Sequence, residues 1–208
     1  ANVTVNDADE TGIAATVLSA IGAKTTGTVT VTNAIAISGS PAEVTAALVT
    51  AGSLVEVTDA TVTITGNPTI TELNNIAAKT TGVVTATLAA DSLSNLGALT
   101  TAGTDAITIT VNDADAAGLT ASDLSTLGGK TAGTVTVTNA VAITGSASEL
   151  TAALVTAGSL VEVSDATATI NDADETGIAA TELSAIGAKT TGTCLLYTSP
   201  SPRDGVQS

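Results

Sequence analysis

The chain has 208 residues but contains no Phe, Trp, Met or His, and its single Cys and single Tyr lie within the last 15 residues. His and Cys side chains are the commonest general bases and nucleophiles of enzymes. Ahead of that tail the chain has neither, and its carboxylates recur at regular intervals instead of forming one unique pair. The sequence therefore predicts a protein that is not an enzyme.

Positive charge is also scarce, because 5 Lys and Arg stand against 20 Asp and Glu and give a net charge of −15. Such an acidic surface repels nucleic acid and anionic lipid, which bind to clusters of basic residues. Long apolar runs are missing as well, and no stretch approaches the ~18 residues of a membrane-spanning helix. We expect no nucleic-acid partner and no membrane insertion.

Residues 194–208 differ in composition from the rest of the chain and read CLLYTSPSPRDGVQS. This stretch resembles a translated sequencing adapter, so we predict a non-native, disordered tail that bears on neither fold nor function. The remaining residues, 1–193, begin and stop inside a repeat. We therefore expect them to be an internal segment of a longer protein.

Tandem repeats fill residues 1–193. Residues 6–28 return at 171–193 with one change in 23 positions, Val17 to Glu182. Glycines that close a T-[TA]-G motif divide the chain into seven units of a length typical of stacked repeats. Units 1 to 7 are 1–27, 28–52, 53–82, 83–103, 104–133, 134–158 and 159–192. A four-unit period is also present, because 28–64 matches 134–170 at 30 of 37 positions.

Each complete unit begins with alternating β-branched residues, which predict strands, and continues with apolar residues at helical spacing. Capping boxes mark the helix starts, where a hydroxyl and a carboxylate three residues later satisfy free backbone N–H groups. Pro41 stands at a first helical position, which tolerates proline. The four boxes are SPAE at 40–43, TITE at 69–72, TASD at 120–123 and SASE at 146–149.

The four lysines of the repeats each stand six residues after an aligned leucine, at Lys24, Lys79, Lys130 and Lys189. This spacing predicts that each lysine lies in the last turn of its helix, where the helix dipole favours a cation. The glycine that follows is predicted to reverse the chain into the next strand.

A unit of this size cannot bury its own apolar face, whereas stacked units share a continuous core. The sequence thus predicts an α/β repeat solenoid of strand(-strand)–short helix units, with parallel β-sheet on one or two faces. We expect it to be right-handed and elongated, over 1–193 as a single domain. A string of immunoglobulin-like sandwiches is the alternative, but that fold predicts modules of about 100 residues without capped helices.

The stretch TELNNIAAKTTGVVTAT at 71–87 and its relatives resemble repeats of very large secreted bacterial proteins, described as β-strand-repeat, adhesin-like or surface-layer-like. The resemblance covers 1–193. It implies a structural or adhesive segment of an exported bacterial surface protein, located outside the cell or at its surface. The implied partners are neighbouring repeats of the same chain and cell-surface or matrix ligands.

Acidic loops are the first of two alternative binding sites. Their oxygens stand at spacings that calcium accepts, although the loops match neither the EF-hand nor the glycine-rich calcium repeat. The other interpretation is that these carboxylates cap the helix that follows. The candidate ligands are Asp7, Asp9, Glu10, Asp113, Asp115, Asp172, Asp174 and Glu175.

The second alternative binding site consists of alternating threonines, at 28–32, 61–65, 108–110 and 134–138. On a flat parallel sheet they would form ladders that resemble the surfaces of ice-binding solenoids. Strand propensity explains them as well, and Glu56 and Glu162 interrupt the pattern. The leading prediction is a non-catalytic structural or adhesive segment without a cofactor. A calcium-stabilised or ice-binding solenoid is the alternative.

Overall fold

A computed structural model describes residues 1–50, 52, 54–156, 158, 161–173 and 177–197. Within these residues every unit contributes its strand or strands first and its helix afterwards. Unit 1 contains β1 (Val3–Val5), β2 (Gly12–Ala14) and α1 (Ala15–Gly22), and unit 2 contains β3 (Val29–Val31), β4 (Ala36–Gly39) and α2 (Pro41–Leu48). Unit 3 contains β5 (Val55–Glu56), β6 (Thr61–Ile64) and α3 (Ile70–Ala77), and unit 4 contains β7 (Val84–Thr87) and α4 (Leu93–Leu96).

The second half repeats this order. Unit 5 contains β8 (Ala106–Val111), β9 (Gly118–Thr120) and α5 (Ala121–Gly128). Unit 6 contains β10 (Val135–Val137), β11 (Ala142–Gly145) and α6 (Ala147–Leu150), which continues as a π-helical turn at Thr151–Val155. Unit 7 contains β12 (Val161–Val163), β13 (Thr167–Ile170) and α7 (Ala180–Gly187), and β14 (Cys194–Leu196) follows it.

The strands form three sheets in which every pairing between the described residues is parallel. Their orders are β1-β3-β5, then β2-β4-β6-β7-β8-β10-β12, and β9-β11-β13-β14. Residues in register stand about one unit apart, as Ile37 and Val62 do on β4 and β6. The prediction of an α/β fold with parallel sheets is confirmed.

Unit 4 changes the way in which the units align, because it contributes one strand where its neighbours contribute two. Its β7 pairs with β6, the second strand of unit 3, and with β8, the first strand of unit 5. The seven-stranded sheet therefore combines the second strands of units 1 to 3 with the first strands of units 5 to 7. Single-sequence periodicity did not predict this shift.

One cluster of buried Val, Ile, Leu and Ala side chains runs through all seven units. The aligned leucines Leu18, Leu73 and Leu124 are fully buried in it, and Leu183 of the last unit packs against it partly exposed. Complete burial of such a side chain stabilises the fold by roughly 1.5–3 kcal/mol. The shared core explains why helices of only 4 to 8 residues are stable in this fold.

The predicted helix starts are confirmed at all four capping boxes, and in three of them Ser40, Thr69 and Ser146 form the complete reciprocal pair with a carboxylate three residues later. At the fourth, Thr120 accepts the Asp123 N–H at 3.1 Å, but its hydroxyl also donates to the Asp123 carboxylate at 2.7 Å. Aspartate is one methylene shorter than glutamate, so it bonds the hydroxyl and not the backbone N–H of the capping residue.

Three carboxylates at helix starts have a lowered pKa. The pKa of Glu43 is lowered because its carboxylate accepts the backbone N–H of Ser40 and then its hydroxyl. Thr69 lowers the pKa of Glu72 in the same way. At the start of α4, hydrogen bonds from the Asn95 side chain and the Ser92 N–H lower the pKa of Asp91.

Replacing Glu43 and Glu72 together with glutamine should remove part of the pH dependence of stability. A lowered pKa in the folded state stabilises the fold above the ordinary glutamate pKa of about 4.3, and this contribution is lost as pH falls through the folded pKa. We expect the variant to melt below the wild type at pH 6 and the two melting temperatures to converge toward pH 3. A difference in melting temperature between variant and wild type that stays the same at all pH values would contradict the capping role of the charge.

One sequence prediction about the helix ends is wrong, and another is confirmed only in part. The helices end at Gly22, Ala77, Gly128 and Gly187, two residues before each lysine, so no lysine lies in a last turn. The chain already bends there, because the Lys24 N–H bonds the Ile21 carbonyl only three residues earlier. The glycines after the lysines do stand in bends just before the next strand, as predicted. They do not adopt a left-handed conformation, since only Gly66 among the described glycines has a positive φ.

The tail prediction also fails in part. Cys194–Leu196 form β14, which pairs with Ala168–Ile170 of β13 and places the first tail residues on a sheet. A free strand edge offers backbone partners to any extended segment, whatever its side chains. The rest of the predicted disordered tail, 198–208, lies outside the described residues.

Candidate functional site

The lysine-containing units share a contact that we call the threonine clasp, formed by Thr25, Thr80, Thr131 and Thr190. In each clasp the hydroxyl accepts the N–H of the glycine two residues later and donates to a carbonyl 20 to 26 residues earlier. Thr131 makes the most hydrogen bonds of the four threonines, because its hydroxyl also accepts the Ile107 N–H at 2.8 Å. The clasp thus joins the end of one unit to the chain about one unit earlier.

The glycine of each clasp lies against the backbone that the threonine binds. A Cβ on Gly133 would stand 2.6 Å from the carbonyl carbon of Ile107, and one on Gly82 would stand 2.6 Å from that of Ala60. In two units without a lysine, no atom of the described residues lies within 4 Å of the same position on Gly52 or Gly158. In unit 4, however, a Cβ on Gly103 would stand 2.8 Å from the Gly129 carbonyl oxygen. The T-[TA]-G motif is therefore a site of close backbone approach in all four lysine-containing units and in unit 4.

The first aspartate reaches the unit before its own in two of the three acidic loops. Asp113 Oδ2 accepts the N–H of Leu93, the first residue of α4, at 2.7 Å. Asp172 Oδ2 accepts the N–H of Ala147, the first residue of α6, also at 2.7 Å. A carboxylate at a helix N-terminus is favoured by the unpaired N–H groups and the helix dipole. The predicted capping exists, but it acts on the preceding helix and not on the following one.

The second aspartate reaches the unit after its own. Asp9 Oδ1 accepts the Ala34 N–H and Asp115 Oδ1 accepts the Ala140 N–H, each at 3.1 Å. The next residue of each loop, Glu10 or Ala116, adopts a positive φ and donates its N–H to the same alanine. We call an acidic loop that bonds a neighbouring unit in this way an acidic bracket. The bracket with Asp113 and Asp115 makes both contacts and so joins three successive units.

Four of the eight candidate calcium ligands have a structural role without calcium. Their carboxylates bond backbone N–H groups, and no group of three or more acidic side chains suited to a metal ion forms among the described residues. Asp174 and Glu175 lie outside those residues. Calcium binding stays a prediction, which a melt with and without millimolar calcium tests, since a ligand at 100 times its Kd adds about 2.7 kcal/mol.

The alternating threonines are divided between two sheets. On the seven-stranded sheet Thr63 stands opposite Thr85 and Thr87 opposite Thr108, and no charged residue stands on β4, β6, β7, β8 or β10. Thr30 lies instead on β3 of the three-stranded sheet, where Glu56 stands opposite it. Glu162 stands opposite Thr136 on the edge strand β12. Both glutamates therefore interrupt the threonine pattern as predicted, and ice binding stays a prediction that crystal-shaping assays test.

A groove of about 380 Å³ separates α4 from α5, because α4 is only one turn long. Its charged lining is Asp113, Asp123 and Lys130. Asp113 bonds the Leu93 N–H, Asp123 bonds Thr120, and the Lys130 ammonium donates to the Gly97 carbonyl at 2.7 Å. These charged groups therefore bond other groups of the protein itself.

Comparison with protein-family models, curated proteins and solved structures gives no match for this chain. Among the described residues, none of the helices has the length and apolar character that a membrane crossing requires. The repeated contacts between units, which sequence patterns only partly indicated, are therefore the main evidence on function. In the sequence, the T-[TA]-G repeats and the Asn-Asp-Ala-Asp repeats mark the residues that make these contacts.

Proposed function

We propose that this chain is a non-catalytic structural or adhesive segment of a large exported bacterial surface protein, located outside the cell or at its surface. In the proposed architecture the units stack as a right-handed α/β solenoid that lengthens with every added unit. Its partners are neighbouring repeats and surface or matrix ligands.

The observation that carries this proposal is the use of the repeated polar residues. The threonine clasps and acidic brackets bond backbone groups of adjacent units, so the most regular features of the sequence serve unit-to-unit contact. A selected binding site would instead bring unlike residues together at one place. Regular contacts of this kind suit a protein whose useful property is length.

The repeat itself supplies the experiment. Residue 134 begins a copy of the sequence that starts at residue 28, so additional copies of 28–133 can be inserted between Gly133 and Thr134 without a foreign junction. Each inserted copy adds four units. At a strand spacing of about 4.8 Å, each copy should lengthen the molecule by about 19 Å.

Small-angle X-ray scattering of chains with no, one and two insertions measures this growth. We expect the maximum dimension to rise linearly and the cross-sectional radius to stay constant. A Gly/Ser insertion of equal length is the control, because it should add flexible chain without a constant cross-section. Growth in all three dimensions would contradict the solenoid.

The surface location has its own test, which is sequencing of the source locus across both ends of this segment. An open reading frame that contains more units together with a secretion signal or surface anchor would support the proposal. A short cytosolic reading frame, or a catalytic domain that the repeats merely carry, would contradict it.

A further inference from the structure

The N-terminal face, formed by the free sides of β1, β2 and α1, carries apolar side chains around a groove of about 460 Å³. Val17 is 50% exposed there, whereas most large apolar side chains of the chain are buried. Val3, Ile13 and Ile21 line the same groove and are only partly buried. Asp7 lies at its rim, and its carboxylate has no hydrogen-bond partner among the described residues.

The same sequence occurs inside the chain with this face covered. Residues 6–28 repeat as 171–193, so Asp172 corresponds to Asp7 and Glu182 to Val17. Asp172 accepts the Ala147 N–H, and Glu182 accepts the Thr151 hydroxyl at 3.2 Å. Both donors belong to unit 6. The position of Val17 therefore faces a preceding unit when one is present.

The looser copy at 112–134 shows the same arrangement. Asp113 corresponds to Asp7 and accepts the first helical N–H of α4 in unit 4. In both covered cases the capping residue is a serine, Ser92 or Ser146, whose hydroxyl bonds the N–H of the third helical residue. The N–H of the first helical residue is therefore available to the aspartate of the following unit, Asp113 or Asp172.

We propose that the N-terminal face binds another copy of unit 6, the sequence 134–158. Asp7 accepts the N–H of Ala147 in that copy, as Asp172 does within the chain. Val17 packs against the helix side where Glu182 would bond Thr151, so that an apolar contact replaces a polar one. The remaining apolar side chains of the groove extend the core across the junction.

The test fuses residues 134–165 in front of the full chain. Residue 165 then precedes Ala1 as it precedes Ala166 in the natural sequence, so the junction repeats an existing one. We expect the extended chain to melt several degrees above the original. Asp7→Ala should lower the melting temperature by about 3 °C in the extended chain, since 1 kcal/mol corresponds to about 2–4 °C at this size. In the original chain the change should be under about 1 °C.

Asp172→Ala is the matched control, because its partner is present in both chains and it should lower both melting temperatures. Equal effects of Asp7→Ala in the two chains, or an extended chain that melts no higher, would overturn the proposal. The proposal rests on the proposed repeat-array function. Linear growth in the insertion series with failure here would reject this docking contact alone.

Discussion

Gly133→Ala is expected to lower the free energy of unfolding by about 3 kcal/mol, at the upper end of the usual effect of overpacking. The added Cβ would collide with the backbone of Ile107, standing 2.6 Å from its carbonyl carbon and 3.0 Å from its nitrogen. Backbone atoms of a central strand cannot rotate away as the end of a flexible side chain does. Urea unfolding followed by circular dichroism measures the change.

Gly158→Ala is the matched control, because Gly158 closes the next unit in the same motif and has open space around the same position. We expect it to be neutral or to stabilise the fold by up to about 1 kcal/mol, through the lower entropy of the unfolded chain. If Gly133→Ala cost no more than Gly158→Ala, the close approach of the clasp would be refuted.

Features that depend on neighbouring residues could be predicted from the sequence. A capping box needs only a hydroxyl and a carboxylate three residues apart, so its geometry is fixed once the helix forms. Ser40, Thr69 and Ser146 accordingly cap their helices as expected. Parallel strands likewise follow from units that return in the same direction.

Contacts between units were harder to predict, because their partners stand 20 to 26 residues away and depend on strand register. Asp113 has a helix directly after its loop, so local reasoning assigned it to the wrong helix. The single strand of unit 4 shifts the pairing of all later strands, which no local pattern reveals.

The glycines of the motif illustrate a further limit. Gly133 and Gly158 close the same Thr-Ala-Gly sequence, yet only Gly133 lies against backbone about one unit earlier in the chain. The difference follows from the partner of the threonine: the Thr131 hydroxyl bonds the Ile107 carbonyl of β8, whereas the Thr156 hydroxyl donates to the Thr151 carbonyl of its own helical turn. The local sequence of the motif therefore does not decide whether its glycine is required, because this depends on a contact with another part of the chain.

Thr131→Val should lower the free energy of unfolding by about 2–4 kcal/mol, since a buried donor without a partner costs about 1–3 kcal/mol. Thr131 is 3% exposed, and its hydroxyl accepts the N–H groups of Ile107 and Gly133, each at 2.8 Å. Valine has the same shape but leaves both N–H groups unpaired. Thr131→Ser keeps the hydroxyl and removes one methyl group, which costs about 0.8 kcal/mol.

The comparison of the two variants separates the hydrogen bonds from the packing. Urea unfolding should rank wild type above Thr131→Ser and Thr131→Ser well above Thr131→Val. Thr126→Val tests the assay itself, because that hydroxyl is exposed and bonds only the Ser122 carbonyl of its own helix, so a change within about 0.5 kcal/mol is expected. Should valine at 131 prove as stable as serine, the clasp would act through shape alone. The recurrence of threonine in the lysine-containing units would then need another explanation.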